Sequence, residues 1–239
     1  MNDGSIVLGY HGCDISVRDR LVRRDLPELH PSKNRYDWLG EGVYFFQDDP
    51  MRARLFAERA SNELSQMFSR QPIASPAVVG AILCVSNWLD MTTQEGIDNW
   101  KAAYETLCTE RKAAEDVMPE NQPADDQDSL VLLRQLDSAV FNLLPKVRAG
   151  NVPPLPVIQA IRGAFYQGPK LAGTSTEFRE HTHIQIALKD LSCARGWFVP
   201  PNEPPLLSNE ELLQAETALM EAKARRTATK PRKVARLRA

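Results

Sequence analysis

Apolar positions fall into short runs separated by longer helical periods, and this alternation sets the predicted elements. SIVLGYHG, from Ser5 to Gly12, reads as a strand entering a glycine-ended turn. Ile15, Val17, Leu21 and Val22 then carry helical spacing, closed near Pro27. HPSKNRYDWLG reads as a loop. In YDWLGEGVYFFQDDPMRARLFAERA, the GVYFF run predicts a second strand and the segment after it a helix. Asp48 or Asp49 caps that helix, and Pro50 fits its first turn, where a missing N–H costs nothing. Leu55, Phe56, Ala60, Leu64 and Met67 line one predicted face. Val78 to Val85 predicts a buried strand. Gln94 to Leu144 is helical in pattern, broken at PENQPADDQD. VPPLPV, Val152 to Val157, is a stiff connector. Ala160 to Tyr166, HIQIAL and CARGWFVP predict three closing strands. Ser208 and Glu211 are spaced as a capping box opening a last helix. TATKPRKVARLRA after it lacks the apolar content to fold alone. No internal repeat is visible. Strands interrupted by helices predict an α+β fold.

With 239 residues, 43% of them hydrophobic, the chain can build one large core plus an appendage. The division expected is a domain over 1–205, with a helical insertion at about 94–150, and a terminal helix with a basic tail over 206–239. The net charge of −2 conceals an asymmetry: Lys223 to Ala239 holds eight Lys or Arg and no acid, and removing those eight positive charges leaves −10. Such a tail is commonly a solvated end, yet its density of cations also attracts phosphates without reading sequence. The four cysteines lack CxxC spacing and read as reduced thiols. No apolar run approaches the ~20 residues of a membrane span. These features imply a cytoplasmic protein, although an effector exported without a signal peptide would look the same. The HTH at His181 to His183 has metal-like spacing but no companion ligands, so no metal is expected.

Three motifs occur in order: YHG at Tyr10 to Gly12, the Gly-x-Tyr-Phe strand at Gly42 to Phe45 with its helix, and a late strand opening on polar residues. Together they resemble the ADP-ribosyltransferase superfamily, in the branch shared by diphtheria toxin and the poly(ADP-ribose) polymerases, whose signature is His, Tyr, Glu. The resemblance spans about Gly9 to Val199 and is similar to small bacterial intracellular ADP-ribosyltransferase toxins of defence or toxin–antitoxin systems. It implies a split β-sheet core and NAD as co-substrate. It implies that His11 bonds the nicotinamide ribose, that Gly12 holds the carboxamide through its backbone, and that Tyr44 stacks on the nicotinamide ring. A phenol face attracts a cationic ring by ~0.5–2 kcal/mol. Phe56 is the candidate second wall of that ring sandwich.

The family's glutamate position falls on Gln185. An amide can hold the ribose 2′-hydroxyl, but it has no charge and cannot act as a base. Three readings follow. Gln185 positions ribose while the acceptor supplies reactivity; or Glu177 or Glu180 folds back to supply a carboxylate; or the protein binds NAD or ADP-ribose without transfer. The first is preferred. His183, two residues earlier, shares Gln185's strand face and is expected to orient the acceptor. The implied activity is mono-ADP-ribosyl transfer to a macromolecule, nucleic acid favoured over protein, with an antitoxin as a partner of the C-terminal helix. Trp38, in YDWLG, is either a rim of the adenosine site or a staple beneath a loop. Taken singly, His11 fits a turn histidine, Tyr44 a core aromatic and Gln185 an exposed strand residue. Only the ordered trio favours the enzymatic reading.

Overall fold

A computed structural model describes residues 4–34, 37–62, 71–123, 131–173 and 175–228. Tyr36, Leu64, Met67, the 124–128 part of the predicted break with the two residues after it, and residues 229–239 of the basic tail lie outside them. The fold is α+β, with five α-helices among the described residues and one seven-stranded mixed sheet.

The strands of the large sheet are β1 (Ser5–Asp14), β2 (Val43–Gln47), β3 (Pro76–Val85), β4 (Trp88–Asp90), β7 (Ala160–Phe165), β8 (His183–Leu188) and β9 (Ala194–Phe198). Two-residue strands β5 (Asn121–Gln122) and β6 (Leu133–Arg134) form a separate ladder. The helices are α1 (Ile15–Arg23), α2 (Pro50–Asn62), α3 (Gln94–Ala113), α4 (Gln135–Ala149) and α5 (Asn209–Ala228). Strand order is β4-β7-β8-β2-β1-β3-β9, parallel at β4–β7 and antiparallel at every other pairing. A split sheet was expected. The strands instead run as one sheet with a weak seam: β1 pairs β3 at ten positions but β2 at two, Gly9↔Gln47 and Tyr10↔Phe46.

Local chemistry explains the helix starts. Asp14 caps α1, accepting from the Ser16 N–H at 3.0 Å, while its second oxygen takes the Ala74 and Ser75 N–H groups. Asp49 accepts from the Arg52 N–H at 2.8 Å and starts α2. Ser208 and Glu211 form the reciprocal capping box at α5.

Because strand side chains alternate, the sheet has two differently covered faces. On one face, α1 and the chain after it pack over Phe45, Val79, Leu83, Ile186 and Leu188. On the other, α3 and α4 cover Leu89, Ile161, Phe165 and Ala187, while α2 covers Tyr10, Phe46 and Val78. The helices of the 94–150 segment thus roof half of one sheet face. The C-terminal segment is anchored as well. Arg18, fully buried, pairs with Asp19 and donates to the Pro204 and Pro205 carbonyls. Asp19 accepts the Leu207 N–H.

Three expectations are corrected. The short strand β4 follows β3 as a separate element, because Trp88–Asp90 pairs in parallel with β7, a contact seventy residues away in sequence that local pattern cannot show. The β5–β6 ladder, likewise absent from the pattern, flanks the 124–130 stretch. Leu55 is exposed at 43%, while Ala53, Ala57 and Ala60 are buried. The cause is close approach: a Cβ on Gly12 would stand 2.3 Å from the Ala53 carbonyl oxygen and 3.1 Å from the Ala57 Cβ. α2 therefore seats its smallest residues on β1, and the larger Leu55 is turned outward.

Candidate functional site

Sheet order places the sequence-selected trio on three neighbouring strands. Gln185 is on β8, Tyr44 on β2 and His11 on β1. Phe46 is the register partner of both Tyr10 and Gln185, and Tyr44 is the partner of Ala187. Tyr44 and Gln185 therefore share the face roofed by α2, α3 and α4. The boundary between the two helix-covered patches falls on β2, with Tyr44 in one cluster and Phe46 in the other.

His11 takes the opposite side. Its register partner Val79 and its ring neighbour Phe45, at 5.9 Å edge-on, both belong to the other face. It nevertheless reaches the β1–β2 seam: its Nδ1 lies 2.7 Å from the Tyr44 carbonyl oxygen. A carbonyl only accepts, so Nδ1 carries the proton and a neutral ring leaves Nε2 as an acceptor. Burial pulls the His11 pKa below the usual imidazole value, against the Tyr44 carbonyl bond, which raises it.

Tyr44 is held at its polar tip. Its hydroxyl donates to the Gly40 carbonyl at 2.7 Å and accepts the Leu39 N–H at 2.9 Å. Burial, with Asp37 adding to it, raises this phenol well above its ordinary pKa, so it stays protonated. The loop it grips is braced from two sides. Lys189 donates to the Leu39 and Glu41 carbonyls, and Asn142 of α4 accepts the Glu41 N–H at 2.8 Å. Gly40 has φ +72°, and a Cβ there would stand 2.5 Å from the Asn142 Oδ1, so glycine is required on both counts.

The glycine of the YHG motif has a structural reason for lacking a side chain: α2 lies against Gly12. Phe56 meets Phe46, with ring centroids 6.2 Å apart, so its aromatic contact is with the strand residue two beyond Tyr44. Gln185 is half-buried, and its amide makes no hydrogen bond to the described residues. Glu177 is bound to Lys170 at 2.6 Å on an exposed loop, which holds its carboxyl below the usual range, and Glu180 is exposed on the same loop. Trp38 donates to the Leu132 carbonyl, stacks under Arg134 at 4.1 Å and packs on Phe165 at 4.8 Å, which makes it a staple beneath the loop. Two cavities, one lined by Leu29, Phe45, Leu188 and Trp197 and one between α3 and α4, do not include the trio.

His183 is 5% exposed and wedged between Phe46, at 5.0 Å, and Phe165, at 5.9 Å. Its Nδ1 sits 2.7 Å from the His181 carbonyl, and its Nε2 is buried without a hydrogen-bond partner among the described residues. Arg52, missed by the sequence reading, lies over Phe46 at 5.2 Å and bonds Gln167 at 2.7 Å. In the sequence it looks like any solvated cation of a first helical turn; only the aromatic at Phe46 beneath it was visible. Burial pushes the His183 pKa down to about 4. The unfolded chain therefore binds more protons than the native one between about 4 and the ordinary 6.5, and stability falls as pH falls through that window. Thermal melting points measured from pH 7 to pH 4.5 are expected to drop, and His183→Asn is expected to flatten that slope.

Among the described residues there is no group of three or more His, Cys, Asp or Glu placed to hold a metal, and no helix long and apolar enough to cross a membrane. All four cysteines are free. Comparison with protein-family models, with curated proteins and with solved structures finds no match for this chain.

Proposed function

We propose that the protein is an NAD-dependent mono-ADP-ribosyltransferase acting on a macromolecule, with nucleic acid favoured as acceptor, in the manner of an intracellular toxin or defence effector. The observation that supports this reading is the adjacency of the strands carrying His11, Tyr44 and Gln185, with His11, whose ring lies on the opposite face, bonded to the Tyr44 carbonyl across the weak seam. In this reading the neutral His11 offers Nε2 to a ribose hydroxyl. The Tyr44 ring, fixed by its two backbone bonds, presents a face to the nicotinamide. Gln185 spends its free amide on the ribose 2′-hydroxyl. The eight basic residues from Lys223 onward supply the preference for a polyanion.

The uncharged Gln185 favours a second reading, in which NAD or ADP-ribose is bound without transfer. Incubating the protein with labelled NAD and separate pools of RNA, DNA and lysate protein distinguishes the two. Label entering RNA or DNA is expected. Label entering protein alone redirects the acceptor, and tight NAD binding with every pool unlabelled supports the second reading. Gln185→Glu adds a carboxylate beside the carbon that becomes oxocarbenium-like, and is expected to raise NAD cleavage by roughly 10-fold or more. Cleavage unchanged by that substitution would remove Gln185 from the sugar.

A further inference from the structure

We propose that His183 is the proton acceptor of the transfer step, taking the proton that the incoming nucleophile must lose. This rests on the transferase reading above and supplies the base that Gln185 cannot be.

The geometry is specific. His183 and Gln185 are two residues apart on β8 and point to the same face, about 7 Å apart along the strand. The Nδ1 proton of His183 is committed to the His181 carbonyl, so the lone pair is on Nε2. That atom is enclosed and has no partner among the described residues. A buried polar atom left without a hydrogen bond costs stability, which marks it as held for something else. The flanking rings of Phe46 and Phe165 fix the orientation of the imidazole. Rival bases are engaged or remote. Asp49 caps α2 through the Arg52 N–H, Glu177 is paired with Lys170, and Glu180 is exposed on the loop.

The step balances without a further reactant. The bond from ribose C1′ to the nicotinamide nitrogen breaks, and its electron pair leaves with neutral nicotinamide. A lone pair on the acceptor oxygen or nitrogen forms the new bond to C1′. The acceptor's proton passes to His183 Nε2 and from there to water. An atom bonding to so electron-poor a carbon becomes strongly acidic, so a weak base suffices. The groups that tune His183 are Arg52 from α2, which disfavours its charged form, Asp49, which favours it, and His181, which disfavours it. Because Nε2 is enclosed, a neighbour must move for the acceptor to reach it. Arg52, a long side chain that lies over Phe46 and is bonded at its tip to Gln167, is the neighbour to which this proposal assigns that movement.

The test compares wild type with His183→Asn, which keeps a donor for the His181 carbonyl, and His183→Gln, using labelled NAD and total RNA. Melting points and NAD affinity are measured first, so that folding and binding are separated from chemistry. Both variants are expected to bind NAD as wild type does and to transfer ADP-ribose about 100-fold more slowly or worse. The wild-type rate is expected to fall below pH 5 as His183 protonates, and the variants are expected to lack that limb. In His183→Gly, added imidazole is expected to restore part of the rate. Wild-type transfer rates in His183→Asn and His183→Gln overturn this proposal and leave the transferase reading standing. Rates that fall only in proportion to NAD affinity also overturn it, since that is a binding role. A wild-type protein that never cleaves NAD overturns both.

Discussion

Replacing Arg18 with alanine is expected to cost about 3–5 kcal/mol of folding free energy, the range for breaking a buried pair from one side. Arg18 and Asp19 have fully buried side chains, 2.6 Å apart. The guanidinium also holds the Pro204 and Pro205 carbonyls and faces Glu203 at 3.6 Å. Alanine would leave the buried Asp19 without its partner and the Pro204 and Pro205 carbonyls without their donor. It would also loosen the segment that leads into α5, whose Leu207 N–H is bound to Asp19. The control is Arg20→Ala. Arg20 reaches Glu216 of α5 at 3.6 Å with the two side chains 42% and 34% exposed, and its loss is expected to cost under about 1 kcal/mol. Denaturant unfolding of the two variants measures the contrast. Similar, small losses would show that α5 does not depend on the buried pair.

His11→Ala is expected to lower ADP-ribosyl transfer by about 100-fold to 1,000-fold, the scale for removing one well-placed polar contact in an active site. Two effects combine. The substitution removes Nε2, the atom that the proposed transferase reading offers to ribose. It also removes a side-chain bond that crosses the β1–β2 seam to the Tyr44 carbonyl. His11→Asn separates them, because its amide can still donate to that carbonyl while offering nothing at the Nε2 position. Transfer lost in both variants, with melting point lost mainly in alanine, assigns the chemistry to Nε2. Full transfer in His11→Asn would reduce His11 to a strap between strands.

Local signals were legible in the sequence. The alternation of HIQIAL marked β8 correctly, and Asp49, Pro50, Ser208 and Glu211 announced their helix starts, because caps act within three residues of themselves. What failed was whatever depends on distant partners. The pairing of Trp88–Asp90 with β7 joins segments seventy residues apart. The inward face of α2 is chosen by the backbone it meets at Gly12, so alanines outrank Leu55. Arg18 and Asp19 read as ordinary charges of a short amphipathic helix, since nothing nearby shows that residues 203–207 will close over them. The site divides in the same way. The residue types of the trio could be picked out by motif, but strand order, which makes neighbours of His11, Tyr44 and Gln185, is a property of the folded sheet. So is the placing of the His11 ring on the face opposite Tyr44 and Gln185, joined to them through the seam.

The account turns on one chemical event, scission of NAD at the nicotinamide–ribose bond, and nicotinamide release followed by chromatography reads it directly. Purified protein with NAD and total RNA is expected to release nicotinamide in step with the appearance of ADP-ribosylated RNA by mass spectrometry, and folded His11→Ala and Tyr44→Ala are expected to release almost none. Intact NAD after prolonged incubation with every acceptor pool, or equal release by the folded variants, would contradict it.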